Sequence, residues 1–325
     1  MGFRMKSSKK IIVISVIISI IVVSLFFVDS RLTERFFYRL GFQEQICFSE
    51  LDASTKSDKM MNIAVVSDFG INQNSMDTLN NIQSVNPEII LFPGDLGQSN
   101  FNEWENLTKS IDLTNVYVTL GDAEENEFRH EILEYHNLTQ NYYSFDYENI
   151  HFLAISTETR ENFSDDRIQI EFIRKDLEQN SNNSNIDWTI VFMHHPMYSS
   201  RDSGSYMDLR NELQPIFDSF GVDLVLSGHK HAYERTNSLS FNNVILGDEK
   251  CEYQKSDGQI YLTVGTGGHS HSIFNNKESW SIIQNDNDYG FLNLVVPDNQ
   301  DILYGEFISN AWGVVDSFKI KNNGM

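Results

Sequence analysis

Residues 223–235 read DLVLSGHKHAYER. A short apolar run stops at Gly228, and His229 and His231 follow with one residue between them. The same pattern occurs four times upstream: IAVVSD ends at Asp68, IILFPGD at Asp95, VYVTLGD at Asp122, and TIVFMH at His194. Apolar runs of four to eight residues bounded by Gly and Pro read as buried strands. Where helical patterns separate such strands, the sheet is mixed or parallel, and its ligand site lies outside the strands' carboxyl ends. Three carboxylates and three imidazoles therefore converge on one sheet edge. Hard oxygen and imidazole donors in that number read as a metal site, for two ions.

The segments between the runs support this arrangement. Helical patterns cover residues 75–85, FNEWENLTKSI (101–111), EFRHEILEYH (127–136), RIQIEFIRKDLEQN (167–180) and LRNELQPIFDSF (209–220). YYSFDY and IHFLAIS alternate about Glu148-Asn149, a two-residue polar connection, and read as a hairpin. Beyond Leu239 the chain is mostly β: SFNNVIL, QIYLTVG, FLNLVV, DILYGEFI and GVVDSFKI. No repeat and no linker divides residues 60–321, which read as one α/β domain with two sheets packed between helices.

The 325 residues carry 46 acidic and 24 basic side chains, a net charge of −22. That balance argues against a nucleic-acid surface, which needs clustered Lys and Arg. Residues 1–40 depart from it, with seven basic and two acidic side chains. There MGFRMKSSKK precedes 18 uncharged residues, Ile11–Val28. At 1.5 Å per residue this run nearly crosses a hydrocarbon core of about 30 Å. The preceding Arg4, Lys6, Lys9 and Lys10 favour an N-in orientation. No A-x-A-like cleavage pattern follows Val28. Residues 1–28 thus read as a basic cytoplasmic end and an uncleaved signal anchor, residues 29–59 as a juxtamembrane stalk. The expected place is the cell membrane, crossed once, with the domain facing outward. Cys47 and Cys251 are the only cysteines; outside the cytoplasm they are able to pair, and the sequence leaves that open.

SDFG, GDL, GDAE, FMHHP and GHKHAYER, in this order and spacing, resemble the calcineurin-like metallophosphoesterases, and among them the purple acid phosphatase branch. The likeness spans about residues 62–320. It implies an α/β/β/α sandwich and hydrolysis of a phosphomonoester, or a diester, by a hydroxide bridging two ions of Fe, Mn or Zn. By analogy Asp95 bridges the ions. Asp68 and His231 complete the first site, and Asp122, His194 and His229 the second.

The likeness is incomplete in three places. The purple branch has Tyr where Gln98 stands, and other branches have His where Gly70 stands. The family's Gly-Asn-His-Glu reads Gly121-Asp122-Ala123-Glu124. Asp122 keeps an oxygen ligand and adds a charge. Ala123 removes the histidine that would stabilise the transition state or protonate the leaving oxygen. His195, directly after a proposed ligand, and Arg201, in the following loop, are the candidate catalytic side chains. His269 and His271 in GTGGHSHSIF read as a solvated loop despite their metal-like spacing, and His130, His136 and His151 as structural. Ala123 and Gln98 also admit a different class of function: a catalytically weakened or inactive homologue that binds metal and a phosphorylated ligand or partner.

Overall fold

A computed structural model of the chain describes residues 59–322, apart from 98–100, 110, 112–114, 125, 159–162, 202–203, 241–242, 246–250 and 299–300. The expected membrane span at residues 11–28, the stalk up to Asp58, Cys47 and Gln98 lie outside the described residues. Among the described residues, no helix is long and apolar enough to cross a membrane. Cys251 is disulfide-bonded.

The five apolar runs are strands. β1 (Met60–Val65), β2 (Ile89–Pro93) and β3 (Val116–Thr119) lie parallel in one sheet. β14 (Gly290–Pro297) pairs antiparallel with the other side of β1. β15 (Ile302–Ser309), β16 (Gly313–Lys321) and β11 (Glu252–Gln254) follow, giving the order β11-β16-β15-β14-β1-β2-β3. The second sheet holds the expected hairpin, β4 (Tyr143–Tyr147) and β5 (Ile150–Ile155), then β6 (Trp188–Met193), β7 (Leu224–Ser227) and β12 (Ile260–Val264) in parallel. β8 (Tyr233–Thr236) and β13 (Ser281–Asn285) close it antiparallel, in the order β13-β8-β12-β7-β6-β5-β4. A two-stranded ribbon, β9 (Ser238–Ser240) with β10 (Asn243–Ile245), forms a third sheet joined to the start of β12 by the Leu239–Gln259 bridge.

Helices cover the outer faces. Residues on a strand alternate between faces, so Ala64, Val66, Ile90, Phe92 and Val118 point one way. They pack there against Leu79 and Ile82 of α1 (Gln73–Val85), Trp104 of α2 (Phe101–Thr108), and Phe128 and Ile132 of α3 (Asn126–Tyr135). On the other sheet Leu153, Ile155, Val191 and Met193 meet Ile170, Ile173 and Leu177 of α4 (Arg167–Asn180) and Leu209, Leu213 and Phe217 of α5 (Met207–Phe220). The apolar spacing of α4 and its Asp166 cap, which accepts from Gln169 N at 3.2 Å, account for the agreement between its predicted and observed limits. Between the sheets, Tyr117 of β3 stacks on Phe145 of β4 at 3.6 Å, and Tyr233 of β8 on Phe307 of β15 at 4.2 Å. The layers therefore run helix, sheet, sheet, helix.

His151, predicted to be structural, ties β5 to its hairpin partner and to α4. Its Nδ1 lies 2.6 Å from Asp146 and its Nε2 2.8 Å from Asp176. Carboxylates only accept, so both nitrogens carry protons and the ring is an imidazolium. Burial pushes its pKa down, but the hydrogen bonds to Asp176 and Asp146 outweigh this and leave it raised. The stabilisation is full below the unfolded value of about 6.5 and is lost as pH rises through the folded value. The melting temperature of the wild type, relative to His151→Gln, is therefore expected to decline as pH rises above about 6.5. A difference that stays constant between about pH 5.5 and 8.5 would contradict this.

Candidate metal centre

All six residues expected at strand ends lie in turns at the carboxyl ends of parallel strands. Three of these turns need backbone that L-residues seldom adopt: Asp68 has φ 63°, Asp95 φ 51° and His229 φ 67°. Left-handed geometry at a non-glycine costs about 1–3 kcal/mol and persists where surrounding contacts enforce it. Those contacts are backbone hydrogen bonds between turns: Phe69 N to Asp95 O at 2.9 Å, Ser67 N to Val264 O at 3.1 Å, and Gly228 N to His194 O at 2.9 Å. Close approach also explains two glycines. A Cβ at Gly121 would stand 2.0 Å from Asp95 Oδ1, and one at Gly228 2.2 Å from Ser67 Oγ.

The side chains converge accordingly. His194 Nε2 lies 2.9 Å from Asp122 Oδ1 and 3.3 Å from Asp95 Oδ1. His229 Nδ1 is 3.0 Å from the same Asp122 oxygen, and His231 Nε2 is 3.4 Å from Asp68 Oδ1. Donor atoms of Asp122, His194 and His229 lie within 4.8 Å of one another, as do those of Asp68, Asp95 and His194. The two donor groups thus share His194, and Asp95 stands beside it in the second.

Their surroundings suit cations, which would replace the protons that crowding now favours. His194 Nδ1 donates to the Pro93 carbonyl at 2.9 Å, which turns Nε2 toward the two aspartates. Asp68 accepts from Ser67 Oγ and His229 N through Oδ2, while its buried Oδ1 has no hydrogen-bond partner. A buried carboxylate oxygen without a donor is costly unless a cation meets it. Burial, then the charge of Asp95, lifts the Asp68 pKa to about 7. The hydrogen bonds from His194 and His229 hold Asp122 far below the usual range. Burial depresses His194, but the hydrogen bond to Asp122 and the charges of Asp95 and Asp68 leave it well above its ordinary value. Carboxylates crowded with imidazoles, one oxygen orphaned, form a donor set suited to Fe, Mn or Zn.

Of the two candidate catalytic side chains, His195 borders this group. His195 Nδ1 lies 2.8 Å from Glu158 Oε1, and its ring lies against Tyr206 at 4.2 Å and His229 at 4.4 Å. Arg201 sits in the loop before α5; its charge, after burial, helps lower Lys230 to about 8 and also reaches His231. Ala123, which stands in the sequence where the family pattern has a histidine, donates from its backbone N to Asp95 Oδ1 at 3.0 Å.

Sequence reasoning missed four contributors. Glu124 is buried and accepts from Leu96 N at 2.6 Å, Asp95 N at 3.2 Å, and Gly121 N, fastening the β2 and β3 turns together. Its pKa rises to about 7 through burial and then Asp95. It is the last residue of the GDAE motif, which was the available signal. Glu158 and Tyr206 carry no motif; Tyr206 Oη lies 2.8 Å from His229 Nε2. His269 lies in a partly exposed loop, as expected, but its Nδ1 is 2.9 Å from His231 Nδ1. His271 lies elsewhere, stacked on Tyr289 at 3.9 Å.

Residues 61–233 match the family model for calcineurin-like phosphoesterases, and residues 258–317 match that for iron/zinc purple acid phosphatase-like protein C. Strands from both segments share each sheet, so the two matches describe one domain. The chain is 23% identical over 291 residues to purple acid phosphatase 23 of Arabidopsis thaliana, covering 74% of this chain and 60% of that one. It is 32% identical over 193 residues to the probable inactive purple acid phosphatase 27 of the same plant, covering 57% of this chain and 31% of that one. Among solved structures it is similar to purple acid phosphatase PPD1 from yellow lupin (Lupinus luteus) seeds, with a TM-score of 0.71 and 25% identity, over 82% of this chain and 54% of that one. The chain therefore spans less than two thirds of each of these relatives.

Proposed function

The chain belongs to the calcineurin-like phosphoesterase family, and from that membership we propose that it is a metal-dependent phosphatase acting on phosphomonoesters, with diesters as a second substrate class. The observation that carries this reading is the convergence of Asp68, Asp95, Asp122, His194, His229 and His231, with Asp68 Oδ1 left without a donor. When bound, two ions supply Lewis acidity and an activated water. The protein's part is to hold their ligands at fixed spacing. His194 does so through the Pro93 carbonyl, and Glu124 through three backbone N–H groups. Arg201 and His195 are assigned to the phosphoryl group. Arg201 offsets charge, and His195, turned by Glu158, donates toward the leaving oxygen. The test is hydrolysis of an activated aryl phosphate and a bis-aryl diester by the purified chain, before and after chelation. Turnover indifferent to the chelator contradicts the proposal.

Ala123 separates this reading from a second one, a homologue that binds metal and a phosphorylated ligand without turning it over. Loss of a general acid costs about 10²–10⁴-fold and weighs most on poor leaving groups. Ala123→His is expected to raise kcat on an alkyl phosphate by about 10²-fold and to change the activated aryl ester much less. Equal effects on both esters would show that the methyl group does not stand in for a proton donor.

The place of action follows from the first 28 residues. In this reading Ile11–Val28 anchors the chain in a membrane with the domain outside, as the basic residues before it favour. Release of the chain by alkaline carbonate, or its protection from protease added to intact cells, would refute the anchor or the orientation respectively.

A further inference from the structure

The turn after β12, GTGGHSHS at residues 265–272, is braced on both sides. Gly267 N donates to Ser67 O at 2.8 Å and His269 N to Asp68 O at 3.0 Å, which attaches the turn beside Asp68. Asn72 Nδ2 donates to Gly268 O at 2.9 Å from the same side. On the other side Ser272 N donates to His231 O at 3.0 Å. The segment is thus held against the backbone of two residues assigned to the first ion, Asp68 and His231.

Within this brace His231 Nδ1 has two neighbours, Ser270 O and His269 Nδ1, each at 2.9 Å. A carbonyl oxygen only accepts, so His231 Nδ1 carries the proton and Nε2, 3.4 Å from Asp68 Oδ1, carries the lone pair. His269 Nδ1 then faces the same N–H as an acceptor. Ser270 Oγ, at 3.1 Å, is its other neighbour and is able to donate to it. The two rings sit 4.1 Å apart at 52°, so the contact constrains the plane of His231 as well as its tautomer.

We infer that His269 is a positioning residue for the ion on the Asp68–His231 side: it shares the His231 Nδ1 proton, fixes the ring and so strengthens Nε2 as a donor to that ion. The inference rests on the proposed metal centre and deepens it. A hydrogen-bond partner on the far nitrogen of a metal-binding histidine sets its orientation and basicity, and losing such a partner typically weakens metal binding by about 10–100-fold. The Ser270 carbonyl remains when His269 is removed, so the expected loss lies within that range and does not abolish binding.

The experiment is equilibrium dialysis of the full chain, in detergent and freed of metal, against Mn(II), for wild type, His269→Ala and His269→Asn. His269→Ala is expected to weaken one bound Mn(II) by about 10–100-fold and to leave the other at wild-type affinity. His269→Asn, whose Oδ1 keeps an acceptor, is expected to recover part of the loss. The melting temperature of each metal-free chain is read alongside. Two affinities unchanged in His269→Ala overturn the inference. So does equal weakening of both ions in a variant whose metal-free melting temperature has dropped, which would make His269 a fold residue. Wild type that takes up no Mn(II) overturns the metal centre itself, and this inference with it.

Discussion

Asp95→Asn is expected to lower kcat/KM for an activated aryl phosphate by about 10³-fold, from a loss of several kcal/mol of charge stabilisation at about 1.4 kcal/mol per tenfold. Asp95 is the carboxylate grouped with Asp68 and His194, the residue both donor groups share, and its Oδ1 lies 3.3 Å from His194 Nε2 and 3.0 Å from Ala123 N. Asparagine is the informative replacement. At φ 51° an alanine would add backbone strain, whereas asparagine tolerates the left-handed region and keeps the shape. The change therefore removes one charge and one oxygen ligand from a fold left intact. The same variant is expected to bind less than the wild-type complement of metal. Activity within tenfold of wild type would mean that Asp95 does not join the two ions, and the proposed centre would lose its bridge.

The largest stability effect is expected at Asp316. Arg235, the last residue of the GHKHAYER run, is fully buried in β8 and pairs in a fork with Asp316 of β16, Nε to Oδ2 at 2.7 Å and NH2 to Oδ1 at 2.8 Å. Tyr233 donates to the same carboxylate at 2.8 Å, and Tyr253 Oη also meets the guanidinium. The pair joins the two sheets, and both side chains are buried. Removing one member leaves a buried charge uncompensated, at a cost of about 3–5 kcal/mol. For a domain of this size Asp316→Ala should then melt roughly 10 °C below wild type. Replacing both members, Arg235→Met with Asp316→Leu, is expected to recover much of that loss, because apolar residues of similar volume often substitute for a buried pair at little cost. A shift below about 2 °C for Asp316→Ala would show that water or a neighbour compensates the charge, and the sheets would not depend on this lock.

That pair also marks the limit of what the sequence made legible. Strands whose residues are apolar on both faces were readable: IILFP, WTIVFM and IYLTV sit between helices and the other sheet, so they show as continuous apolar runs. β8 was not readable. Its sequence is YERT, and nothing local shows that Arg235 and Glu234 are buried. Their partners are Asp316, 81 residues away, and Ser200 and Ser281. β13 (SIIQN) was missed for a related reason: it is short, and a bulge between Ser281 and Ile283 breaks its alternation. In the site, the six strand-end residues were legible because a polar side chain after an apolar run has few other reasons to stand there. Glu158, Tyr206 and His269 were not, since each reaches the site from a connection whose path depends on tertiary contacts.

The most direct measurement is a Mn(II) titration of the chelated chain, with bound ions and hydrolysis of an activated aryl phosphate read on the same samples. Two ions per chain are predicted, with turnover that appears as they fill and disappears on renewed chelation. A chain that binds no metal, or that hydrolyses the ester equally well without it, would contradict the assignment of Asp68, Asp95, Asp122, His194, His229 and His231 to a catalytic metal centre.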